Sequence, residues 1–276
     1  MAGQSAGMTK GKDNSMTEKL LARKEGAVGI VTFNNPERHN AMSLDMWEGT
    51  VHHLGAFATD PEVRVVVLTG AGSKAFVSGA DISKFADERA SKEGIEKYNA
   101  AVERGYATVN DFPKPTIAMI RGYCIGGGMG IASCCDIRVC TPNSRFAVPA
   151  AKLGLGYDYP GLKRLVDLVG PSFAKEIFYT ARQFDAAEAK DMGFANRVVP
   201  EEEIEAYVKN YAETIASNAP LTVNSIKFIV GEVMKDESRR NIKRCSELVA
   251  ECFASKDYIE GRQAFMEKRK PVFTGS

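Results

Sequence analysis

Histidine is scarce in this chain of 276 residues, with only His39, His52 and His53, and net charge is nearly absent at +1. The first scarcity leaves little to complement cysteine in a metal site, and adjacent Cys134-Cys135 has no metal-ligand spacing. The second removes the electrostatic case for a nucleic-acid partner. No apolar run approaches the ~20 residues that a bilayer span needs, so no membrane partner is expected. Residues 1–15 lack the apolar core of a signal peptide and the arginines of a transit peptide, and read as a disordered tail. The six cysteines lack the look of a disulfide framework. Cys124, Cys134, Cys135 and Cys140 sit in or beside apolar runs, where a free thiol behaves as a small hydrophobe. A reducing, cytoplasmic compartment without a structural metal is the resulting expectation.

What is present reads as an α/β chain. Lys19 to Arg23 and Ala27 to Phe33 are apolar runs broken by Glu25-Gly26, as in a β-hairpin. Ser43 stands where it would cap a helix to about Ala58, with Leu44, Trp47, Val51, Leu54 and Phe57 at helical spacing. His52 and His53 lie beside that face as packed or solvated residues rather than ligands. Val63 to Gly70 is a β-branched run expected of a strand buried on both faces. A small-residue loop ends in Asp81, a further expected cap, and helices run on to about Asp111, where Pro113 and Pro115 stop them. Asp185 caps a helix over 186–192, and 195–199 reads as a last strand. Strands alternating with helices, followed by helices alone, divide the chain into an α/β core over 16–200 and a helical region over 201–276.

Between two of the strands stand Gly126-Gly127-Gly128, at a strand-to-helix junction that ends in Cys135-Asp136. Glycines there permit close packing of helix on strand. They also leave unpartnered helix N–H groups that favour developing negative charge. The residues alone leave both readings open.

Gly79-Ala80-Asp81-Ile82, the three glycines with Cys135-Asp136, and Phe265 to Phe273 together resemble the signature segments of the crotonase (enoyl-CoA hydratase/isomerase) family. Asn35-Pro36, Asn40-Ala41-Met42, Ser255, Asp257, Glu260 and Gly261 fit as well, so the resemblance runs from Leu20 to Phe273 in order. It implies a crotonase-type spiral of ββα units whose C-terminal helices mediate homotrimers, often paired into hexamers. It also implies an acyl-CoA thioester substrate, with coenzyme A part of the substrate and no separate cofactor. An enolate would be stabilised by the N–H groups of Ala80 and Gly127. Asp81 and Ile82 would adjoin the substrate. Arg38 with Lys268 or Lys270 would meet the coenzyme A phosphates, or else form a solvated basic face. Phe265 and Lys268 would also lie at a subunit interface.

The chain departs from the family where its hydratases carry two glutamates: those positions are Gly130 and Ala150. Neither side chain transfers protons, which puts two-glutamate syn-hydration in doubt. Tyr157-Asp158-Tyr159 occupies a loop that enters the family's site. Asp158 falls where dienoyl-CoA isomerases and a similar aryl-CoA dehalogenase carry an aspartate, and Tyr157 where a methylmalonyl-CoA decarboxylase carries a tyrosine. A carboxylate in an apolar pocket would have a raised pKa suited to proton shuttling; the same residues also suit an ordinary turn. Three expectations follow: proton transfer by Asp158 as isomerase or atypical hydratase, decarboxylation or hydrolysis using Tyr157, and acyl-CoA binding without catalysis. Phe85, Tyr98 and Met129 are pocket-lining or core positions.

Overall fold

The computed structural model describes residues 17–84, 88 and 90–276. The tail over 1–15 and Phe85 lie outside the described residues. Strand β1 (Leu20–Glu25) turns back antiparallel onto β2 (Val28–Phe33), which is the expected hairpin. Helix α1 (Leu44–Thr59) follows, then β3 (Val65–Gly70) and β4 (Ala75–Val77). Helix α2 (Lys92–Asn110) leads to β5 (Thr116–Ile120) and β6 (Tyr123–Ile125), and α3 (Gly127–Cys134) to β7 (Ile137–Cys140) and β8 (Arg145–Ala147). Each strand pair is thus followed by a helix. The β1–β2 hairpin and the first strands of the following pairs join one sheet, ordered β1-β2-β3-β5-β7-β10, and the second strands of those later pairs join another, ordered β4-β6-β8-β9. The chain therefore winds as a spiral of ββα turns whose sheets grow in parallel register.

Helix α4 (Tyr159–Thr180) bends at Gly170, where φ is 74° ahead of Pro171. Then come β9 (Phe184–Asp185), α5 (Ala186–Asp191) and β10 (Arg197–Val198). Asp185 caps α5 in a full capping box with Glu188, as the sequence suggests. Helices α6 (Ile204–Ser217), α7 (Pro220–Val233), α8 (Ile242–Ala254) and α9 (Lys256–Glu267) complete the chain.

The central strands are buried on both faces because their side chains alternate between two cores. Val66 and Leu68 of β3 face the large core with Trp47, Phe76 and Met129. Val65 and Val67 face a smaller one closed by Ile204, Val208 and Ala212 of α6. Helix α6 thereby covers a sheet face rather than standing apart with the last three helices. The four cysteines read as hydrophobes are free and buried, and burial raises the Cys134 thiol to about 11. At α1 the expected cap differs. Ser43 has extended cap geometry, but its hydroxyl turns to Asp45, and Glu88 accepts from the Leu44 N–H at 3.1 Å. A longer carboxylate reaching from a neighbouring segment has replaced the local cap.

Candidate active site

The three glycines at the head of α3 have three different tasks. Gly126, at φ 52° and ψ −110°, makes the corner into the helix while its N–H donates to Ala147 O at 2.8 Å. At Gly128 an added Cβ would fall 2.1 Å from the Val77 carbonyl oxygen, so this position is glycine for packing against β4. Gly127 is different: a Cβ there would meet only Tyr106 Oη at 3.6 Å and Gly79 at 3.8 Å, ordinary contacts. As the first residue of α3 it has no helical acceptor for its N–H. Close packing thus falls on Gly128, while Gly127 leaves its N–H without a helical acceptor.

The segment touching Gly127 is Gly79-Ala80. Met42 donates to Gly79 O and accepts from Asp81 N, both at 2.8 Å, in a parallel bridge. That pairing turns the N–H of Ala80 away from Met42. Gly79 supports the arrangement with φ at 114°. Upstream, buried Asn40 holds the loop: its side-chain amide donates to Ala71 O and Ala75 O at 3.0 and 2.7 Å and accepts from Asn35 N at 2.9 Å. Two backbone segments with open N–H groups are therefore brought into contact by fixed neighbours. Such groups suit an oxygen that gains negative charge.

The space beside Gly130 is filled by a residue that sequence reasoning missed. Tyr106, on α2, places its hydroxyl 2.6 Å from where a Cβ at Gly130 would stand and 3.4 Å from Gly127 O, to which it donates. Trp47 packs edge-on against its ring at 4.9 Å, and the Arg164 guanidinium lies over it at 5.5 Å. Burial pushes the Tyr106 phenol well above its ordinary value, so it stays a neutral donor. No sequence signal marks Tyr106, which sits within helical apolar spacing; only the missing side chain at Gly130 hints that something else fills the space. Arg138 was also missed. It is buried at the C-terminal end of α3, donating to Cys135 O at 2.6 Å and Phe194 O at 2.5 Å, where a cation complements the helix dipole.

The other expected site residues stand in different surroundings. Tyr157 is 37% exposed, its ring packs edge-on against Phe178 at 4.8 Å, and the partial burial of the side chain raises its phenol. Asp158 stands exposed at the N-cap of α4 without a side-chain cap bond. The apolar burial expected of it is absent because the loop 151–160 faces outward. Asp81 is buried, and its carboxylate accepts from Ser83 N and Oγ at 3.2 and 2.6 Å, capping the short turn Ile82–Lys84. Ile82 is exposed beside it.

Arg38 is exposed, and its carbonyl accepts from Ser78 Oγ at 3.3 Å, close along the chain to Ala80. Phe265, 82% exposed, lines a separate cavity of about 960 Å³ between α7, α8 and α9. Lys268 ends α9 in the left-handed region, on the helix that carries Phe265. Tyr98 and Met129 are core. Ala150 is buried behind Pro149. Asp136 accepts from Thr116 N and Lys227 Nζ, each at 2.7 Å, and is structural. Glu260, held near 2 by Arg269, and Asp257 tie residues 269–275 back onto α9.

A spiral of ββα turns with this glycine-led helix defines a crotonase-type protein. The chain matches the description Enoyl-CoA hydratase/isomerase over residues 23–276, and it belongs to that family. Among relatives, it is 37% identical to the short-chain-enoyl-CoA hydratase of Clostridium acetobutylicum over 91% of this chain and 95% of that one. It is 34% identical to the carnitinyl-CoA dehydratase of Citrobacter koseri, over 94% of this chain and 100% of the other. An enoyl-CoA hydratase/carnithine racemase structure from Magnetospirillum magneticum superposes with a TM-score of 0.87 at 37% identity, covering 94% and 97% of the two chains.

Proposed function

We propose that this chain acts on an acyl-CoA thioester through an enolate whose oxygen is held by the N–H groups of Ala80 and Gly127. One observation carries this reading: the contact between Gly79-Ala80 and the open first turn of α3, where Gly127 has no helical acceptor. Backbone donors aimed at a developing oxyanion are each worth about 100- to 1000-fold in rate. The relatives' names, hydratases and dehydratases of CoA thioesters, supply the substrate class. Because Gly130 and Ala150 carry no acid or base, the exposed Asp158 is assigned the proton transfer, in an isomerase or atypical hydratase.

A second reading, decarboxylation or hydrolysis with Tyr157 orienting the departing group, gains support from the Tyr157 ring standing over Gly161 beside the Arg164 guanidinium. Solvent-deuterium incorporation at the carbon next to the thioester, followed by mass spectrometry on butyryl- and succinyl-CoA, separates these. Asp158→Asn abolishing exchange favours the first reading, and Tyr157→Phe doing so favours the second. Binding without any exchange leaves a binder and defeats both. We further propose assembly as a trimer or hexamer, supported by the exposed Phe265, Met266 and Ile259 of α9. Monomeric mass by light scattering would contradict it.

A further inference from the structure

Arg164, on the first half of α4, has no carboxylate paired with it among the described residues. Its Cζ lies 5.5 Å from the centre of the Tyr106 ring, and its Nε is buried without a hydrogen-bond partner. A guanidinium stays charged and carries five N–H donors, so an enclosed donor left unmet has a standing demand for an acceptor. A Cβ built on Gly161 would fall 2.9 Å from the Tyr157 ring and 4.0 Å from Arg164 Nη2. The Tyr157 ring and the guanidinium therefore share one small space over Gly161. On the other side Tyr106 reaches from the guanidinium to Gly127, its hydroxyl 3.4 Å from that carbonyl. Burial raises both phenols, so each keeps its proton; the O–H of Tyr106, which donates to Gly127 O, rotates away from it to meet a ligand.

The guanidinium thus lies between the Tyr106 ring, whose hydroxyl reaches Gly127, and the Tyr157 ring over Gly161. The two positions to which the resemblance assigns the hydratases' glutamates are neutral here, Gly130 and Ala150. A carboxylate at either would repel an anionic substrate group, whereas a guanidinium fork matches a carboxylate's geometry.

We infer that Arg164, Tyr106 and Tyr157 form an anion subsite next to the thioester, taking a carboxylate on the acyl chain, so that the substrate is the CoA thioester of a dicarboxylic acid. This rests on the acyl-CoA reading above and deepens it by naming the acyl class. It also explains why Gly130 has no side chain: a Cβ there would displace the Tyr106 hydroxyl from the subsite.

The test compares dissociation constants for thioesters of equal carbon number, succinyl- against butyryl-CoA and malonyl- against propionyl-CoA. The phosphates of coenzyme A are common to each pair and cancel in the ratio. In the unaltered protein the carboxylated member of at least one pair binds about tenfold tighter or more. That preference falls to near unity in Arg164→Gln and is kept in part by Arg164→Lys, with thermal melts confirming that both fold. Tyr106→Phe lowers it by a smaller factor, about threefold.

Equal binding of both members in the unaltered protein, or a preference that survives Arg164→Gln, overturns the inference. If equal binding is accompanied by deuterium exchange on butyryl-CoA, the acyl-CoA reading stands and only the anion subsite falls. If none of the four thioesters binds, both fall.

Discussion

At the scale of single residues, the site turns on what stands at Gly130. The Tyr106 ring is held between Trp47 and Arg164, so its hydroxyl cannot swing aside when a Cβ arrives 2.6 Å away. Gly130→Ala is therefore expected to cost about 1–3 kcal/mol by overpacking. In a Tyr106→Leu background the same change costs much less, because the obstructing atoms are gone. Urea unfolding of the four variants measures the coupling; additive losses would show that Tyr106 and Gly130 do not share this space. The sequence displays the missing carboxylates at Gly130 and Ala150 plainly. It hides the residues gathered beside them, because Tyr106 and Arg164 come from other helices and neither lies in a recognisable motif. Asp158 was legible as a loop residue, but its exposure depends on how the loop 151–160 faces, which no local pattern encodes.

At the scale of elements, α3 is set by its neighbours more than by its own propensity. Eight residues make a marginal helix, and this one is pinned by Gly128 against Val77 at its head and Arg138 at its tail. Gly128→Ala would drive a Cβ to 2.1 Å from a backbone oxygen that cannot yield. It should cost about 3 kcal/mol or more, while Gly127→Ala, meeting only contacts of 3.6 Å and longer, should cost less than about 1. Equal losses in chemical unfolding would contradict the division of labour among the glycines. Most elements were readable. The hairpin, the doubly buried β3 and the Asp185 cap follow from alternation, β-branching and capping chemistry. The α1 cap was not readable, since Glu88 arrives from another segment, and neither was α6, whose charged exterior does not announce that it closes a sheet face.

At the scale of the whole molecule, the buried thiols and phenols set the alkaline limit of stability. Burial raises Cys134 to about 11 and Cys140 to about 12, from an ordinary 9.0, and lifts Cys124 and Tyr106 as well. The folded chain therefore keeps these protons after the unfolded chain has released them. Their contribution is full below about pH 9 and is lost as pH rises through the folded values. Urea midpoints should hold between pH 7 and 8.5 and then fall; a flat profile to pH 11 would refute this. The spiral itself presents the open first turn of α3 to the Gly79-Ala80 segment, and the central claim is that the Gly127 N–H there stabilises an enolate oxygen. Proline is tolerated at the first position of a helix and lacks an N–H, so Gly127→Pro removes the donor while sparing the fold. The decisive measurement is the rate of deuterium exchange next to the thioester in Gly127→Pro against Gly127→Ala, with melting temperatures recorded for both. The proline variant is expected to be slower than the alanine variant by about 100-fold or more at similar stability. Equal exchange rates in the two folded variants would contradict it.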